Sequence, residues 1–220
     1  MWAILTDPEK KGGKWNPDEF FQTGEKEITT ALDSVASKGI KLNFGCALDF
    51  GCGVGRLSQA LARHFQEVHG IDIAPSMVEQ AKNFNRYPEK VHYHVNPSSD
   101  LRLFPDQKFD FIYTFIVLQH IQPKFVLQYI SEFVRTLRPN GVALFQFIEP
   151  SVLRRMIPDP FINLYRTVRR GNEAFVWEFG VSRSAVDKVL RDKGAKTVDV
   201  QRGPAPKRGW SNYTYLVTRN

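Results

Sequence analysis

The stretch ALDFGCGVGR, residues 47–56, decides the fold of this chain, because three glycines alternate directly after an apolar strand that ends in an acid. Glycine permits a tight turn and lets a ligand approach the backbone, since it has no Cβ. The residues that follow, 56–65, place apolar side chains at helical spacing, which predicts a helix with one buried face. The succession of strand, glycine turn and helix is typical of the first βα unit of a nucleotide-type cofactor site.

The spacing of the glycines restricts the kind of ligand. It is G-x-G-x-G, whereas a pyrophosphate on a helix N-terminus requires G-x-G-x-x-G. Asp49 stands two residues before the first glycine, where its charge would repel a phosphate. An acid at this position favours a cationic ligand.

The following units repeat the alternation of strand and helix. Residues 67–73 predict a second strand with Asp72 at its carboxyl end, about twenty residues past the glycines, where dinucleotide folds place the acid that binds a ribose diol. A helix is predicted to start at 74–77, with proline in its first turn. Residues 91–95 and the apolar run 109–121 predict two further strands, of the kind that helices cover on both faces.

These motifs resemble, in the same order, those of class I S-adenosylmethionine (SAM)-dependent methyltransferases of the bacterial small-molecule type. The pattern is an acid before G-x-G-x-G, an acid after strand two, Asp100-Leu101 after strand three, L-x-H-I at 118–121 and L-R-P-x-G at 137–141. The resemblance covers residues 45–148. It implies an α/β, doubly wound, Rossmann-like sheet of seven strands in the order 3-2-1-4-5-7-6 with strand 7 antiparallel. It also implies S-adenosyl-L-methionine as cofactor, with S-adenosyl-L-homocysteine as product.

The remainder of the chain fits one domain, residues 1–220. Helices are predicted at 123–137 and 182–192, and strands at 142–148, 196–202 and 211–218. We divide the domain into an N-terminal lid and helix (1–44), a cofactor-binding core (45–148), a substrate-cover insertion (149–180) and a C-terminal helix and hairpin (181–220).

The N-terminal stretch 15–24 combines three aromatic residues with residues that break helices, and a helix is predicted from Glu25 to about Ser37. It resembles the tryptophan-containing lid of thiopurine methyltransferase, which implies that it closes over the methionine end of the cofactor. Aromatic faces attract a sulfonium and exclude water from it. The alternative is that these aromatics only attach the segment to the core.

Within this pattern Asp72 is expected to bind the ribose, Gly51 and Gly53 to border the methionine moiety, and Ile73 and Asp100 to contact the adenine. His120, just past strand four, is the candidate general base, because histidine is the side chain that most often removes a proton near neutral pH. The predicted cofactor contacts are Trp15, Thr23, Gly24, Asp49, Gly51, Cys52, Gly53, Arg56, Asp72, Ile73, Met77, Asp100, Leu101 and Phe115. The predicted acceptor contacts are His120, Glu149, Tyr165 and Trp177.

Charge and composition limit the kinds of partner expected for this chain. The net charge of +7 comes from the end of the chain: residues 1–150 hold 16 Lys/Arg and 17 Asp/Glu, and residues 151–220 hold 14 and 6. Such an excess favours an anionic acceptor, or is a solvated basic face. Without an apolar span or a signal-peptide pattern, the expected location is cytoplasmic, with no membrane partner and a monomer or homodimer as the oligomeric state.

No metal site is predicted. Cys46 and Cys52, the two cysteines, are too few and too unfavourably placed for zinc. The other four histidines, besides His120, show no converging partners in the sequence; they are His64, His69, His92 and His94.

Several other functions compete with small-molecule methylation. A dehydrogenase would need G-x-G-x-x-G and no acid at Asp49. A base-flipping amino-methyltransferase would carry a proline clamp after strand four, where 114–117 reads TFIV. An RNA methyltransferase of another type and a non-catalytic SAM-binding subunit stay open, although nucleic acid is the less favoured partner.

Overall fold

The computed structural model describes residues 15–151, 178–204 and 209–219. Its helices are α1 (Pro17–Ser37), α2 (Arg56–Leu61), α3 (Pro75–Asn83), a 3-10 turn (Leu118–His120), α4 (Pro123–Thr136) and α5 (Arg183–Asp192). Its strands are β1 (Cys46–Phe50), β2 (Glu67–Asp72), β3 (Val91–Val95), β4 (Phe109–Thr114), β5 (Leu137–Pro150), β6 (Ala195–Gly203) and β7 (Trp210–Arg219).

The seven strands form one sheet in the order β3-β2-β1-β4-β5-β7-β6. The first five strands pair in parallel, whereas β7 runs antiparallel to both β5 and β6. The predicted fold class and strand order are therefore confirmed. The order reverses next to β1, which makes a crevice at the carboxyl ends of the strands the expected ligand position.

Two apolar layers hold the helices to the sheet. One layer joins α1, α2 and α3 to one face, with Ile28, Leu61 and Phe111 at its centre. The other joins α4 and α5 to the opposite face around Phe133, Phe145 and further aromatic side chains. Strands β1 and β4 are buried along their whole length, as expected of strands covered on both faces.

Helix α1 begins earlier than predicted, so the expected helix start at Glu25 is wrong. The Asn16 side chain caps the helix by accepting from the Asp18 amide at 2.8 Å, and Pro17 takes the first helical position. Proline at that position loses no hydrogen bond, and the acids that follow stabilise the helix N-terminus. The segment predicted as a lid is therefore the first two turns of α1 and the residues before it.

Other boundaries also differ by several residues. Strand β5 spans Leu137–Pro150 instead of the predicted 142–148, so residues 137–141 belong to the strand. Helix α2 ends at Leu61 instead of residue 65. Strand β4 ends at Thr114, not residue 121, because the chain turns at Ile116, whose φ is +60°, and then enters the 3-10 turn. An apolar run does not by itself distinguish a strand from the turn that follows it. Of the predicted substrate cover, only 149–151 and 178–180 lie in the described residues, and the division of the domain stays a prediction.

Helices α1 and α2 are in close contact at Gly24. A Cβ on Gly24 would lie 2.6 Å from the Arg56 carbonyl oxygen. We expect Gly24→Ala to lower the free energy of unfolding by about 1–3 kcal/mol, because backbone has to move to admit the methyl group. Urea denaturation would measure the loss, with Thr30→Ala on an exposed turn of α1 as control. Equal stability of the two variants would contradict the close approach.

Candidate functional site

The glycine turn after β1 is tied to the end of β2. The amides of Gly51 and Cys52 both donate to the Ile71 carbonyl oxygen at 2.9 Å. Gly51 and Gly53 have φ values of +79° and +53°, which other residues adopt at a cost. The turn therefore needs glycine for its conformation.

Asp72 is held in place at the end of β2. Its two carboxylate oxygens accept from backbone amides, Oδ2 from Gly53 and Oδ1 from Ala74, each at 2.9 Å. A carboxylate oxygen has two acceptor positions, so each keeps capacity for another donor. The side chain is half-buried and lines a cavity. Asp72 thus offers a fixed, ionisable acceptor pair.

The cavity beside Asp72 lies at the carboxyl ends of β1 to β4 and has a volume of about 480 Å³. That volume is within the roughly 300–1,000 Å³ typical of small-molecule sites. Its walls are mostly apolar, with a few polar groups. They are formed by Phe50, Gly51, Ile71, Asp72, Ile73, Asn96, Pro97, Ser98, Ser99, Ile116, Val117, His120, Ile121, Gln122, Phe125 and Tyr129.

Two exposed aliphatic side chains border this cavity. Ile73 is 71% exposed and Ile116 45% exposed, unusually high fractions for isoleucine. Ile116 is also a β-branched residue at positive φ, a strained conformation that clusters at functional sites. Its amide donates to Oε1 of the buried Gln146 at 3.0 Å, and the Gln146 amide donates to Asn212 at 2.7 Å. Gln146 therefore holds the end of β4 in its strained turn.

Four of the predicted residues line this cavity: Gly51, Asp72, Ile73 and His120. Gly53 reaches it through its bond to the Asp72 carboxylate. The structure adds Asn96–Ser99, where the hydroxyl of Tyr129 donates to the Ser98 carbonyl at 2.6 Å. Sequence reasoning missed this loop, although polar residues directly after strand three were the available signal.

Asp100 and Leu101 do not line this cavity. Asp100 accepts from the Arg102 amide at 3.2 Å and contacts the Arg102 guanidinium at 3.5 Å. Leu101 is fully buried, and its amide donates to Glu132 at 2.9 Å. The chain turns these two residues toward α4, so Asn96–Ser99 occupy the position where we expected them.

Asp49 and Arg56 lie beneath the turn and are almost fully buried. Asp49 accepts from the Ser58 hydroxyl at 2.6 Å, and the Arg56 guanidinium pairs with Glu27 of α1 at 2.8 Å. Burial raises the pKa of Asp49 to about 7, against the lowering effects of Ser58 and Arg56. Asp49 does not line the cavity, and in this structure it joins the turn to α2.

The other predicted cofactor contacts pack around the turn. The Thr23 hydroxyl donates to the Phe20 carbonyl, and Gly24 lies against Arg56. Trp15 and Met77 pack on a cluster formed by Phe20, Phe21 and Val54. Cys52 is buried, and burial raises its thiol pKa well above the usual range.

A second cavity of about 500 Å³ lies between α1 and the strands β4 to β7. Phe115 lines this cavity and not the one beside Asp72, because successive residues at the end of a strand point to opposite faces. The glycine turn and Asp72 border only the cavity beside Asp72, which makes that cavity the candidate cofactor site.

Among the predicted acceptor contacts, Glu149 is the penultimate residue of β5 and accepts from the Arg183 amide at 3.0 Å. Tyr165 and Trp177 lie outside the described residues, as does the arginine-rich part of the insertion. Phe179, where the description resumes, donates from its amide to the Gln119 carbonyl at 2.7 Å, next to His120. The end of the insertion therefore returns to the turn that carries His120.

The expectation that His69 and His94 have no converging partners is wrong. His69 Nδ1 lies 3.0 Å from His94 Nε2, and His69 Nε2 lies 2.9 Å from Glu67 Oε1. Parallel pairing of β1, β2 and β3 brings these side chains onto one face, a proximity that their sequence positions do not show.

Within the described ranges, no helix combines the length and apolar character required to cross a bilayer.

The architecture and the cavity at its carboxyl edge define a nucleotide-type cofactor-binding domain of the α/β class. Residues 48–145, a little under half of the chain, match the family model described as a methyltransferase domain. A ubiquinone biosynthesis O-methyltransferase of Coxiella burnetii is 32% identical over 142 residues, which are 61% of this chain and 56% of that protein. The chain thus spans about half the length of that curated relative.

Two further comparisons extend over more of the chain. A carboxy-S-adenosyl-L-methionine synthase of Vibrio campbellii is 24% identical over 181 residues, covering 79% of this chain and 71% of that protein. Magnesium protoporphyrin IX methyltransferase from Synechocystis, solved with bound S-adenosyl-L-homocysteine, superposes with a TM-score of 0.63 at 18% identity, covering 100% of this chain and 96% of the other. At that identity the similarity concerns the fold.

The raised pKa of Asp49 makes stability depend on pH. Its folded pKa, about 7, exceeds the ordinary value of 3.8, so stability from this group is present below pH 4 and is lost as pH rises through 7. Asp49→Asn keeps an acceptor for Ser58 and cannot ionise. Relative to the natural chain, we expect its free energy of unfolding to gain on the order of 2 kcal/mol between about pH 5 and 8. Urea unfolding at both pH values measures this gain.

The control for that experiment is Asp33→Asn, which changes an exposed acid on α1. Its stability difference from the natural chain should stay nearly constant over the same range. The same constancy in Asp49→Asn would contradict a raised pKa.

Proposed function

We propose that this protein transfers the methyl group of SAM to a small-molecule acceptor by direct in-line displacement. The observation that carries this proposal is the Asp72 carboxylate, oriented by the Gly53 and Ala74 amides beside a cavity of suitable volume. The match of residues 48–145 to a methyltransferase family model supports SAM as the class of cofactor. The cavity beside Asp72 supports a position for it.

The residues of the cavity fit the parts of SAM. Asp72 keeps two free acceptor positions for a ribose diol, and a carboxylate bonded to two hydroxyls is a charge-assisted pair. Ile73 and Ile116 offer exposed apolar surface to a flat purine ring. The polar loop Asn96–Ser99 lies alongside, which favours it over Asp100 as the adenine contact. Gly51 and Gly53 leave the backbone accessible to the methionine moiety.

SAM supplies an activated methyl group on a sulfonium, so the protein has to align the acceptor, exclude water and, for some acceptors, remove one proton. His120 lines the cavity on the 3-10 turn, and the chain at Phe179 closes next to it. We assign His120 the proton-accepting role. Glu149, at the end of β5, stays a candidate for orienting the acceptor.

A small acceptor agrees with the printed names of the similar proteins, which concern ubiquinone biosynthesis and magnesium protoporphyrin IX. The basic excess of residues 151–220 supports an anionic acceptor. An RNA acceptor and a SAM-binding subunit without activity are the competing functions. Cytoplasmic location and a monomeric or homodimeric state remain predictions.

Methyl-labelled SAM tests the proposal. The protein is incubated with labelled SAM and with one of two acceptor pools. One pool is a small-metabolite extract, and the other is RNA purified from the cells that gave the extract. We expect label in the metabolite fraction only, and a reduction of at least about tenfold in His120→Gln, as for loss of a general base. Label in RNA would show that the acceptor is RNA and would contradict a small-molecule acceptor. SAM binding without transfer to either pool would indicate a non-catalytic subunit.

Two aspartates give a matched pair for the cofactor site. Asp72→Asn should weaken SAM binding by roughly 2–3 kcal/mol, because an amide cannot accept on both sides from hydroxyl groups and the charge is lost. Asp100→Asn should change affinity by less than about 0.5 kcal/mol, since Asp100 lies outside the cavity. Calorimetric titration measures both. A larger loss of affinity in Asp100→Asn would support Asp100, instead of the loop Asn96–Ser99, as the adenine contact.

A further inference from the structure

Three metal-ligating side chains meet at the edge of the sheet opposite the cofactor cavity. They are Cys46, Glu67 and His69, and their donor atoms all lie within 4.8 Å of one another. Cys46 and Glu67, the first residues of β1 and β2, are partners in the parallel register. His69 lies two residues further along β2 and therefore on the same face. One strand length, roughly 16 Å for five residues, separates this cluster from the glycine turn.

The distances suit a small tetrahedral site. Zinc bonds of about 2.3 Å to sulfur and about 2.0–2.2 Å to nitrogen or oxygen place neighbouring donors roughly 3.3–3.7 Å apart. His69 Nε2 and Glu67 Oε1 are 2.9 Å apart, and the wider separations do not exceed 4.8 Å. Side-chain rotations that move donors by about an ångström would reach the required geometry.

The neighbours of these side chains support them as ligands. Without a metal, His69 Nε2–H donates to Glu67 Oε1, because a carboxylate only accepts, and His69 Nδ1 accepts from His94 Nε2 at 3.0 Å. A metal at Nε2 takes the place of that bond and requires the other tautomer, in which Nδ1–H donates to His94. Lys108 Nζ contacts Glu67 Oε2 at 2.8 Å, so Oε1 is the carboxylate oxygen left for a metal. Such outer contacts orient ligands and commonly accompany zinc sites.

Metal binding requires the thiol of Cys46 as a thiolate. A coordinating cation displaces the thiol proton, which is released to solvent.

We propose that the chain binds one Zn²⁺ through Cys46 Sγ, Glu67 Oε1 and His69 Nε2, with a fourth position for solvent. The sulfur and nitrogen donors favour zinc or cobalt over magnesium and calcium, which prefer oxygen ligands. The ion joins the first residues of β1 and β2, and its binding is independent of methyl transfer.

Cobalt provides a direct probe, because a thiolate bound to Co²⁺ gives an intense charge-transfer absorption and a tetrahedral site gives visible d–d bands. The chain holds two cysteines and five histidines, all within the described residues. The full chain, carrying no polyhistidine tag, is freed of metal with a chelator and titrated with Co²⁺ and then Zn²⁺. We expect one equivalent of Co²⁺, both sets of bands, displacement by Zn²⁺ and a rise in Tm with Zn²⁺ but not Mg²⁺.

Substitution of single residues tests which side chains bind the metal. Cys46→Ser should abolish the charge-transfer band and weaken Zn²⁺ binding at least tenfold, whereas Cys52→Ser, which changes the other buried cysteine, should retain both. Should Cys46→Ser fold poorly, Glu67→Gln tests the same site with a side chain of equal size, and should also weaken binding tenfold. His92→Gln, an exposed neighbour on β3, should bind as the natural chain does.

The proposal is overturned if the natural chain shows no thiolate–cobalt band. The cluster is then a hydrogen-bond network only. It is also overturned if the band survives Cys46→Ser or disappears in Cys52→Ser. None of these outcomes depends on SAM binding or on methyl transfer.

Discussion

The structure depends on the bonds that join the glycine turn to the end of β2. The Ile71 carbonyl accepts from Gly51 and Cys52, and the Asp72 carboxylate accepts from Gly53. These bonds set the turn and the acid relative to each other before any ligand arrives. Preorganisation of this kind lowers the entropy that binding would otherwise cost. The buried groups beneath the turn, Asp49 among them, are arranged to support it.

The end of β4 forms the opposite wall and carries the strain of the site. Ile116 adopts a positive φ, which costs of order 1–3 kcal/mol for such a residue. Its amide bond to Gln146, and the bond from Gln146 to Asn212, offset that cost through β5 and β7. The antiparallel β7 thus takes part in the site without lining the cavity. A Cβ on Gly51 would meet Val117 at 2.5 Å, so the two walls also limit each other.

The two edges of the sheet carry different chemistry. Carboxyl ends of parallel strands are followed by loops that are free to bind ligands, which explains the position of the cavity. Amino ends of β1 and β2 bring Cys46, Glu67 and His69 together because the register aligns their first residues. Burial keeps the imidazole of His69 neutral there. Neither the register nor the burial follows from local sequence pattern.

The sequence by itself determined the α/β fold class and the positions of the glycine turn and Asp72. These follow from short-range patterns: alternating glycines, apolar strands and helical spacing. The strand order was implied only by the resemblance of these motifs to those of SAM-dependent methyltransferases. The tertiary structure alone decided that Asn96–Ser99, and not Asp100, face the cavity, since Asp100 turns to Arg102 and Leu101 enters the core. It also decided that Phe115 belongs to another cavity and that His69 meets Glu67. Such contacts depend on register and on which way a loop turns, and residues distant in the chain set both.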